Sequence, residues 1–268
     1  MGMRYVYPVI SRRAGGVSLG INLNPNNACN WHCAYCQVPD LIRGSAPDID
    51  LQQLHDEMTT MLTSMCHGDF MQKHVAENMR KLCDVAISGN GEPTSCRSFD
   101  AVVEVMVDVL QDFDLLGNIP LRLISNGSYV HKQHVQAGLK RMAQYAGEVW
   151  VKMDAATHEG IARINGVHAS PDLLIRQVKV VAKCCPTWIQ TCMLAWDKEP
   201  PADHEISAYL ELLKKMKGQG GLQGVLLYGL ARPSLQKESL HVSALNEAWM
   251  LHLKERIECL GVSVRLSL

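Results

Sequence analysis

Apolar, β-rich runs alternate with helix-type patterns along most of this 268-residue chain. Such alternation is typical of βαβ units, in which each crossover helix returns the chain to the same edge of a parallel sheet. The pattern therefore predicts an α/β fold, a partial (β/α)6 TIM-like barrel with a mainly parallel sheet. The predicted strands are Gly16–Leu23, Cys83–Gly89, Leu121–Gly127, Glu148–Ala155, Thr187–Trp196 and Gly224–Ala231. The predicted helices are Leu51–Met65, about Met71–Leu82, Ser98–Phe113, His131–Tyr145, Ser170–Cys184, Asp203–Lys217 and Ser243–Leu260.

The chain has no linker, repeat or low-complexity segment, which predicts a single domain over residues 1–268. We interpret residues 1–15 as an N-terminal extension, residues 16–232 as the core, and residues 233–268 as a C-terminal helix followed by an edge strand. Asp50, Ser98 and Ser170 are the expected N-caps of their helices. In sheets of this kind the active site lies at the carboxyl ends of the strands.

The bulk properties narrow the class of protein. No uninterrupted apolar run is long enough to span a bilayer, and no secretory signal segment is visible, so we expect a cytoplasmic protein without a membrane partner. The formal net charge of −1 argues against a nucleic-acid partner without excluding one. In a reducing compartment most of the ten cysteines should be free thiols.

Three cysteines, Cys29, Cys33 and Cys36, follow the first predicted strand with the spacing C-x-x-x-C-x-x-C. Clustered thiolates bind zinc or iron–sulfur clusters. Structural zinc sites and [4Fe–4S] clusters usually have four protein ligands, so three cysteines would leave one cluster iron open to a substrate or cofactor. Two alternatives remain, a zinc module with a distant fourth ligand and an electron carrier whose cluster a scattered cysteine completes.

The stretch "CNWHCAYC", with Tyr35 before its last cysteine, resembles the signature loop of the radical S-adenosylmethionine (radical SAM) enzymes. The resemblance implies an oxygen-sensitive enzyme with a [4Fe–4S] cluster on Cys29, Cys33 and Cys36. It also implies S-adenosyl-L-methionine as the cofactor, whose reductive cleavage supplies a 5′-deoxyadenosyl radical that takes a hydrogen atom from the substrate. A reductant protein such as a flavodoxin or ferredoxin is the implied partner. An oxidoreductase, lyase, transferase or isomerase is compatible with this chemistry.

Further motifs at the strand ends resemble the cofactor-binding elements of the same family. "SGNGEPT" is similar to its glycine-rich GGEP element, although Asn90 separates the two glycines, and "ISNGS" matches the polar strand-end residues of many members. The alternative interpretation is a set of ordinary turns built from Gly, Pro and Asn. The residues expected to contact the cofactor are Tyr35, Gly89, Asn90, Gly91, Glu92, Ser125, Asn126, Lys152 and Gln190.

Charged side chains at two strand ends are the candidate catalytic residues. Lys152 and Asp154 alternate with apolar neighbours, so both should face the same side of their strand. Beside the cofactor, Lys152 would meet its carboxylate and Asp154 would hold the substrate, unless the two form a structural ion pair. Arg232, in "YGLARP", would pair with an anionic group of the substrate or form a surface salt bridge. Among the scattered cysteines, Cys96 is the strongest candidate for a role beyond packing.

Within the radical SAM enzymes, "GNGEPT", "LISNGS" and "VWVKMDA" are most similar to the branch that contains the wyosine-type tRNA-modifying enzymes. Those enzymes carry additional cysteines for a second cluster ahead of the signature loop, whereas no cysteine precedes Cys29 here. The alternatives are an enzyme that installs a glycyl radical on a partner protein and an enzyme that acts on a small or nucleotide-like substrate. The sequence does not identify the substrate.

Overall fold

The computed structural model describes residues 2–11, 15–218 and 220–268. Its strands are β1 (Val6–Ser11), β2 (Gly16–Ile21), β3 (Ala28–Cys29), β4 (Ile42–Arg43), β5 (Leu82–Ile87), β6 (Leu121–Ser125), β7 (Gly147–Lys152), β8 (Thr187–Met193), β9 (Ala195–Trp196), β10 (Leu222–Gly229), β11 (Val242–Ser243) and β12 (Val264–Ser267). Its helices are α1 (Leu51–Cys66), α2 (Phe70–His74), α3 (Phe99–Asp112), α4 (Gln133–Ala143), α5 (His158–Asn165), α6 (Pro171–Ala182), α7 (Asp203–Met216) and α8 (Glu247–Glu258), with short 3-10 turns at Glu77–Met79, Pro93–Ser95 and Lys237–Leu240.

Eight strands form one sheet in the order β1-β2-β5-β6-β7-β8-β10-β12. Every pairing from β2 to β12 is parallel, whereas β1 pairs with β2 in the antiparallel direction. The sheet does not close, and β1 and β12 are its two edges. The predicted partial barrel with a mainly parallel sheet is confirmed. None of the described helices is long and apolar enough to cross a membrane.

Side chains along each strand alternate between the two faces of the sheet. On β6, the side chains of Leu121 and Leu123 are fully buried in the main apolar core. The side chain of the next residue, Ile124, lies on the opposite, inner face of the sheet.

The helix caps agree in part with those expected from the sequence. Asp50 and Ser170 each accept a hydrogen bond from a backbone N–H in the first turn, whereas Ser98 makes no side-chain cap bond.

One predicted helix is wrong and another was missed. The helix expected over about 71–82 ends at His74, because Val75 is extended and the Arg80 guanidinium donates to the Val75 carbonyl at 3.0 Å. Helix α5 has only eight residues and so gives a weak periodic signal. Thr157 caps its start and Gly166 ends it in the left-handed conformation with φ +63°.

The predicted N-terminal extension contributes a strand to the sheet. The Glu57 carboxylate on α1 holds the start of β1, because it accepts from the backbone N–H groups of Arg4 at 2.9 Å, Tyr5 at 2.8 Å and Val6 at 3.1 Å. Residues 1 and 12–14 of that predicted segment lie outside the described residues. At the other edge, β12 pairs with β10, which confirms the predicted C-terminal edge strand. The single-domain assignment stays a prediction.

A charged network fills the inner face of the sheet near the amino ends of its strands. The Arg122 guanidinium pairs with Asp84 and, through Nε at 2.6 Å, with Glu148. Ser18 donates to Asp84, and the Trp150 indole donates to Glu148 at 3.1 Å. The three charges are largely shielded from water, with exposed fractions of 18%, 5% and 16% for the side chains of Arg122, Asp84 and Glu148. This end of the barrel is therefore occupied by protein side chains.

Candidate active site

The three clustered cysteines lie in the loop between β2 and β4. Cys29 belongs to β3, and the β3–β4 pairing places it opposite Arg43. Cys33 is buried, whereas Cys29 and Cys36 are partly exposed. All three thiols line one cavity of about 1120 Å³, together with residues from the carboxyl ends of β5, β6, β7, β8 and β10. The structure thus brings together the three predicted metal ligands at the predicted edge of the sheet.

Helix α5 holds one side of this loop. The His32 amide donates to the Asn165 carbonyl at 3.0 Å, and the Ala34 amide donates to the Ile164 carbonyl at 2.8 Å. Both carbonyls belong to the last turn of the helix, where the backbone acceptors have no partner within the helix. The short helix that the sequence did not predict therefore positions the residues between the first and third cysteines.

The segment after β10 holds the other side of the loop. The Cys36 carbonyl accepts from the Leu235 amide at 3.0 Å, from Gln236 Nε2 at 3.2 Å and from the Ser234 hydroxyl at 3.3 Å. Ser234 and Gln236 are buried, so water competes little for these bonds. Hydrogen bonds to distant elements therefore hold the loop on both flanks.

Burial makes the cysteine thiols weak acids. It raises the pKa of Cys29 to about 11 and the pKa of Cys33 to about 12. Metals bind thiolates, so metal binding here must release protons and is favoured at higher pH. Among the described residues no three His, Cys, Asp or Glu side chains converge on a position for a single metal ion. In a cubane each thiolate binds a different iron, so the thiols need not converge on one point.

The glycine-rich turn after β5 packs directly against the cysteine loop. A Cβ at Gly91 would lie 2.0 Å from the Ala28 carbonyl oxygen, and Gly89 has a φ of +130°, so neither position accepts a side chain. Both glycines line the cavity, as predicted for cofactor contacts. Asn90 does not line it, because its side chain donates to Asn27 Oδ1 at 2.7 Å on the cysteine-loop side.

Glu92 ties the ends of β5 and β6 together. Its carboxylate accepts from the Thr94 amide at 3.0 Å, the Ser125 hydroxyl at 2.7 Å and the Asn126 amide at 2.7 Å, and also from the Thr94 hydroxyl. Burial raises the pKa of this carboxyl, while the donated hydrogen bonds oppose the rise. Glu92, Ser125 and Asn126 all line the cavity, so three predicted cofactor contacts form one bonded unit there.

Lys152 and Asp154 are joined through Tyr35, which the sequence placed in the signature loop. The Tyr35 hydroxyl donates to Asp154 at 2.6 Å and accepts from Lys152 Nζ at 3.2 Å. The Asp154 carboxylate also accepts from Asn165 Nδ2 and from the Cys192 amide, both at 2.7 Å. The two predicted catalytic residues are therefore neighbours. Lys152 lines the cavity, whereas Asp154 is buried in this network.

The two remaining predicted site residues lie at different depths. Gln190 is the register neighbour of Lys152, is only 8% exposed and does not line the cavity. Its Oε1 is buried and has no hydrogen-bond partner among the described residues. Arg232 is exposed and lines the outer part of the cavity. An unsatisfied buried amide oxygen is costly. Because Gln190 does not line the cavity, its contact with the cofactor stays a prediction.

Three site residues were not predicted. Cys192 and Tyr228 line the cavity near Lys152, and Asn165 donates to both Asp154 and the Cys33 sulfur, the latter at 3.5 Å. Cys192 lies two residues beyond Gln190 on β8, so strand alternation could have placed it on the inner face. Asn165 carried no such signal, because its helix was not predicted.

The Tyr35 hydroxyl is expected to contribute measurably to stability. Replacing Tyr35 with Phe removes the donor to Asp154 and the acceptor for Lys152, which should lower the free energy of unfolding by about 2 kcal/mol. Denaturant unfolding followed by circular dichroism measures this difference. Tyr129→Phe is the matched control, since no side-chain hydrogen bond of the described residues involves the Tyr129 hydroxyl. Equal stability of the two variants would show that the buried network does not support the loop.

Comparison with solved structures places this architecture among known folds. A radical SAM methyltransferase from Sphaerobacter thermophilus superposes with a TM-score of 0.64 at 12% identity, covering 98% of this chain and 68% of that chain. TYW1 with a bound lysine–pyruvate adduct gives 0.60 at 15% identity, with 91% and 73% covered. Streptococcus suis SuiB bound to S-adenosylmethionine gives 0.56 at 13% identity, with 95% and 48% covered. The chain has the fold of the radical SAM enzymes.

Sequence comparison assigns the chain less specifically than structural comparison does. No family model matches the chain. It is similar to the GTPase Obg of Brachyspira hyodysenteriae, with 27% identity over 135 residues that make up 49% of this chain and 17% of that protein. It is also similar to the UPF0026 protein MJ1312 of Methanocaldococcus jannaschii, with 31% identity over 134 residues, 48% of this chain and 35% of that protein. The matched regions thus span about a third or less of these curated relatives. The radical SAM fold is what the comparisons establish.

Proposed function

We propose that this protein is a radical SAM enzyme. The observation that carries the proposal is the position of the three thiols of C-x-x-x-C-x-x-C in one cavity with the glycine-rich turn and the polar strand ends. The chain's residues fit both implied groups. The three cysteines, on a loop bonded at both flanks, would bind three irons of a [4Fe–4S] cluster and leave the fourth iron for S-adenosylmethionine. When bound, these groups supply a 5′-deoxyadenosyl radical that takes a hydrogen atom from the substrate.

The polar strand ends are suited to hold the amino-acid part of the cofactor. Glu92 faces the cavity with a carboxylate that can accept from an ammonium, and Lys152 offers an ammonium to a carboxylate. Burial opposes the charged form of Lys152, but the neighbouring Tyr228 and Asp154 raise the pKa of this ammonium above its ordinary value. Lys152 is thereby kept as a cation that binds and orients a carboxylate. The ionised amine favours this role over that of a nucleophile toward a carbonyl group.

Gln190 is proposed to contact the adenine of the cofactor through its unpaired Oε1, although the side chains that line the cavity do not include it. Gln190→Met is expected to weaken S-adenosylmethionine binding by about tenfold, the cost of about one hydrogen bond to a buried partner. The same change should leave the ligand-free protein as stable as the wild type or slightly more stable, because it removes an unsatisfied buried oxygen. Anaerobic calorimetry and denaturant unfolding measure the two effects. A loss of stability without a loss of affinity would assign Gln190 to the scaffold.

The proposed function also includes a compartment, an electron donor and a class of substrate. We place the enzyme in the cytoplasm with a flavodoxin or ferredoxin as electron donor, and we take its substrate to be small or nucleotide-like. The wyosine-type branch is the nearest match of the motifs, and a partner protein that carries a glycyl radical is the alternative substrate. Nothing in the charge of the chain favours a tRNA substrate, since the formal net charge is −1.

The test is an anaerobic turnover assay. The protein is reconstituted with iron and sulfide, reduced with dithionite and mixed with S-adenosylmethionine, and 5′-deoxyadenosine is quantified by chromatography. We expect cysteine-dependent formation of this product. Binding of S-adenosylmethionine without product would mean that cleavage waits for the substrate, whereas a full cluster that binds no S-adenosylmethionine would contradict the proposal. Binding of iron without binding of S-adenosylmethionine would identify an electron carrier instead.

A further inference from the structure

The cavity has a polar inner end and an apolar outer end. The inner end is formed by the cysteines and by polar strand-end side chains such as Glu92, Ser125 and Lys152. The outer end is formed by β1, by β12 and by the segment that follows β10. Its apolar side chains are Val9, Ile10, Leu230, Leu266 and Leu268. The total volume of about 1120 Å³ exceeds the range of about 300 to 1000 Å³ that is usual for one small ligand. The cavity is therefore larger than one small ligand needs.

The outer end coincides with the open side of the barrel. β1 and β12 are the two edges of the sheet, and both contribute residues to the same cavity. Val9, Ile10 and Leu268 are 37%, 48% and 63% exposed, although they are large apolar side chains. Single exposed apolar residues need no explanation, but a group of them around one opening marks a binding surface.

One cation stands at this apolar opening. Arg232 is exposed, lines the cavity, and its guanidinium makes no ion pair or hydrogen bond with another described residue. The other two charged side chains of the described cavity lining are Glu92 and Lys152, at the inner end. If those two serve the ammonium and carboxylate of S-adenosylmethionine, Arg232 is left without a partner. A guanidinium pairs well with the planar oxygens of a carboxylate or phosphate.

We propose that the outer end binds the substrate, and that this substrate is an amphiphilic acid, an apolar body with one carboxylate or phosphate group. The apolar body lies against the side chains of the two edge strands, and the anion pairs with Arg232. This inference rests on the proposed function, because it assigns the inner end to the cofactor. It specifies the small substrate by its chemistry, and it disfavours neutral or cationic substrates of the same size.

The experiment measures binding and needs no turnover. The reconstituted protein, saturated with S-adenosylmethionine under anaerobic conditions, is titrated calorimetrically with octanoate, octyl phosphate and octan-1-ol, three probes with one apolar chain and different head groups. We expect at least one of the two anions to bind about tenfold more tightly than the alcohol, as for one charge-assisted pair. Comparison of octanoate with octyl phosphate shows which anion the site prefers.

Two variants separate the head-group site from the apolar site. Arg232→Gln should remove the preference for the anions while leaving octanol binding unchanged, and Ile10→Ser should weaken all three probes. Arg176→Gln is the matched control, an exposed arginine on α6 away from the cavity. A wild type that binds octanol as tightly as the anions, or binds none of the probes, overturns the proposal. So does an Arg232→Gln variant that keeps the preference.

The outcome is separable from that of the proposed function. A protein that forms 5′-deoxyadenosine but does not prefer the octyl anions would retain the radical SAM assignment and lose the substrate class. A protein that shows the Arg232-dependent preference but never cleaves S-adenosylmethionine would keep an anion-binding apolar site and lose the proposed chemistry. The two readouts use different ligands and different ends of the cavity.

Discussion

Replacing Cys33 with Ala is expected to abolish the bound cluster and the formation of 5′-deoxyadenosine. Cys33 is the buried member of the three cysteines, and its sulfur accepts from Asn165 Nδ2 at 3.5 Å. Loss of its thiolate would strip one iron of its protein ligand and displace the reacting centre. Turnover should fall by at least about 100-fold, since a displacement of about 1 Å can already cost that factor. Iron and sulfide content, visible absorption and the anaerobic turnover assay measure the two effects.

Cys66→Ala provides the control for this prediction. Cys66 is an exposed thiol at the end of α1, and it does not line the cavity. Its variant should hold as much iron as the wild type and turn over at the same rate. A Cys33→Ala protein with the full iron content and wild-type turnover would refute the assignment of the cluster to this loop.

Replacing Glu92 with Ala is expected to lower both stability and cofactor affinity. The change leaves two amides and two hydroxyls without their acceptor, among them the Asn126 amide and the Ser125 hydroxyl on β6 and its following turn. The free energy of unfolding should fall by about 4 kcal/mol, because buried donors that lose a charged acceptor pay their desolvation cost. The affinity for S-adenosylmethionine should fall by at least about tenfold, since the ammonium loses its acceptor.

Two further variants make the Glu92 result interpretable. Glu92→Gln keeps one carbonyl oxygen in place and should lose less stability than the alanine variant. Glu211→Ala removes an exposed carboxylate on α7 and should change stability by less than about 0.5 kcal/mol. Unfolding by denaturant and anaerobic calorimetry provide both values. If Glu92→Ala weakened cofactor binding but left the unfolding free energy unchanged, the four hydrogen bonds would not be the main role of this carboxylate.

Sequence reasoning succeeded where local pattern and chemistry coincide. The alternation of strands and helices was enough to predict the partial barrel, and the rule that sites lie at strand ends predicted that Cys33 and Lys152 would share a cavity. Tyr35 was singled out by its place in the loop. Its hydroxyl forms hydrogen bonds with both Lys152 and Asp154. These residues are far from Tyr35 in the sequence, so spacing along the chain could not predict the contact.

The predictions that the structure does not bear out depend on contacts between side chains and backbone that the local sequence pattern does not show. The expected helix over about 71–82 stops at His74 because the Arg80 side chain takes a carbonyl that a longer helix would use. The Asn90 side chain bonds to Asn27 and does not line the cavity, so its contact with the cofactor stays a prediction. Gly91 is required by close contact with the Ala28 backbone in the cysteine loop, and Gly89 by its positive φ and the nearby Asn22 side chain, which their sequence motif did not reveal.

The charged network of Arg122, Asp84 and Glu148 has a consequence for ligand access. These side chains occupy the amino end of the barrel, so a ligand approaches the cavity from the carboxyl ends of the strands or from the open side between β1 and β12. Under the proposed assignment of the two ends, the outer ligand lies on the path of the inner one. We therefore expect the cofactor to bind before the substrate.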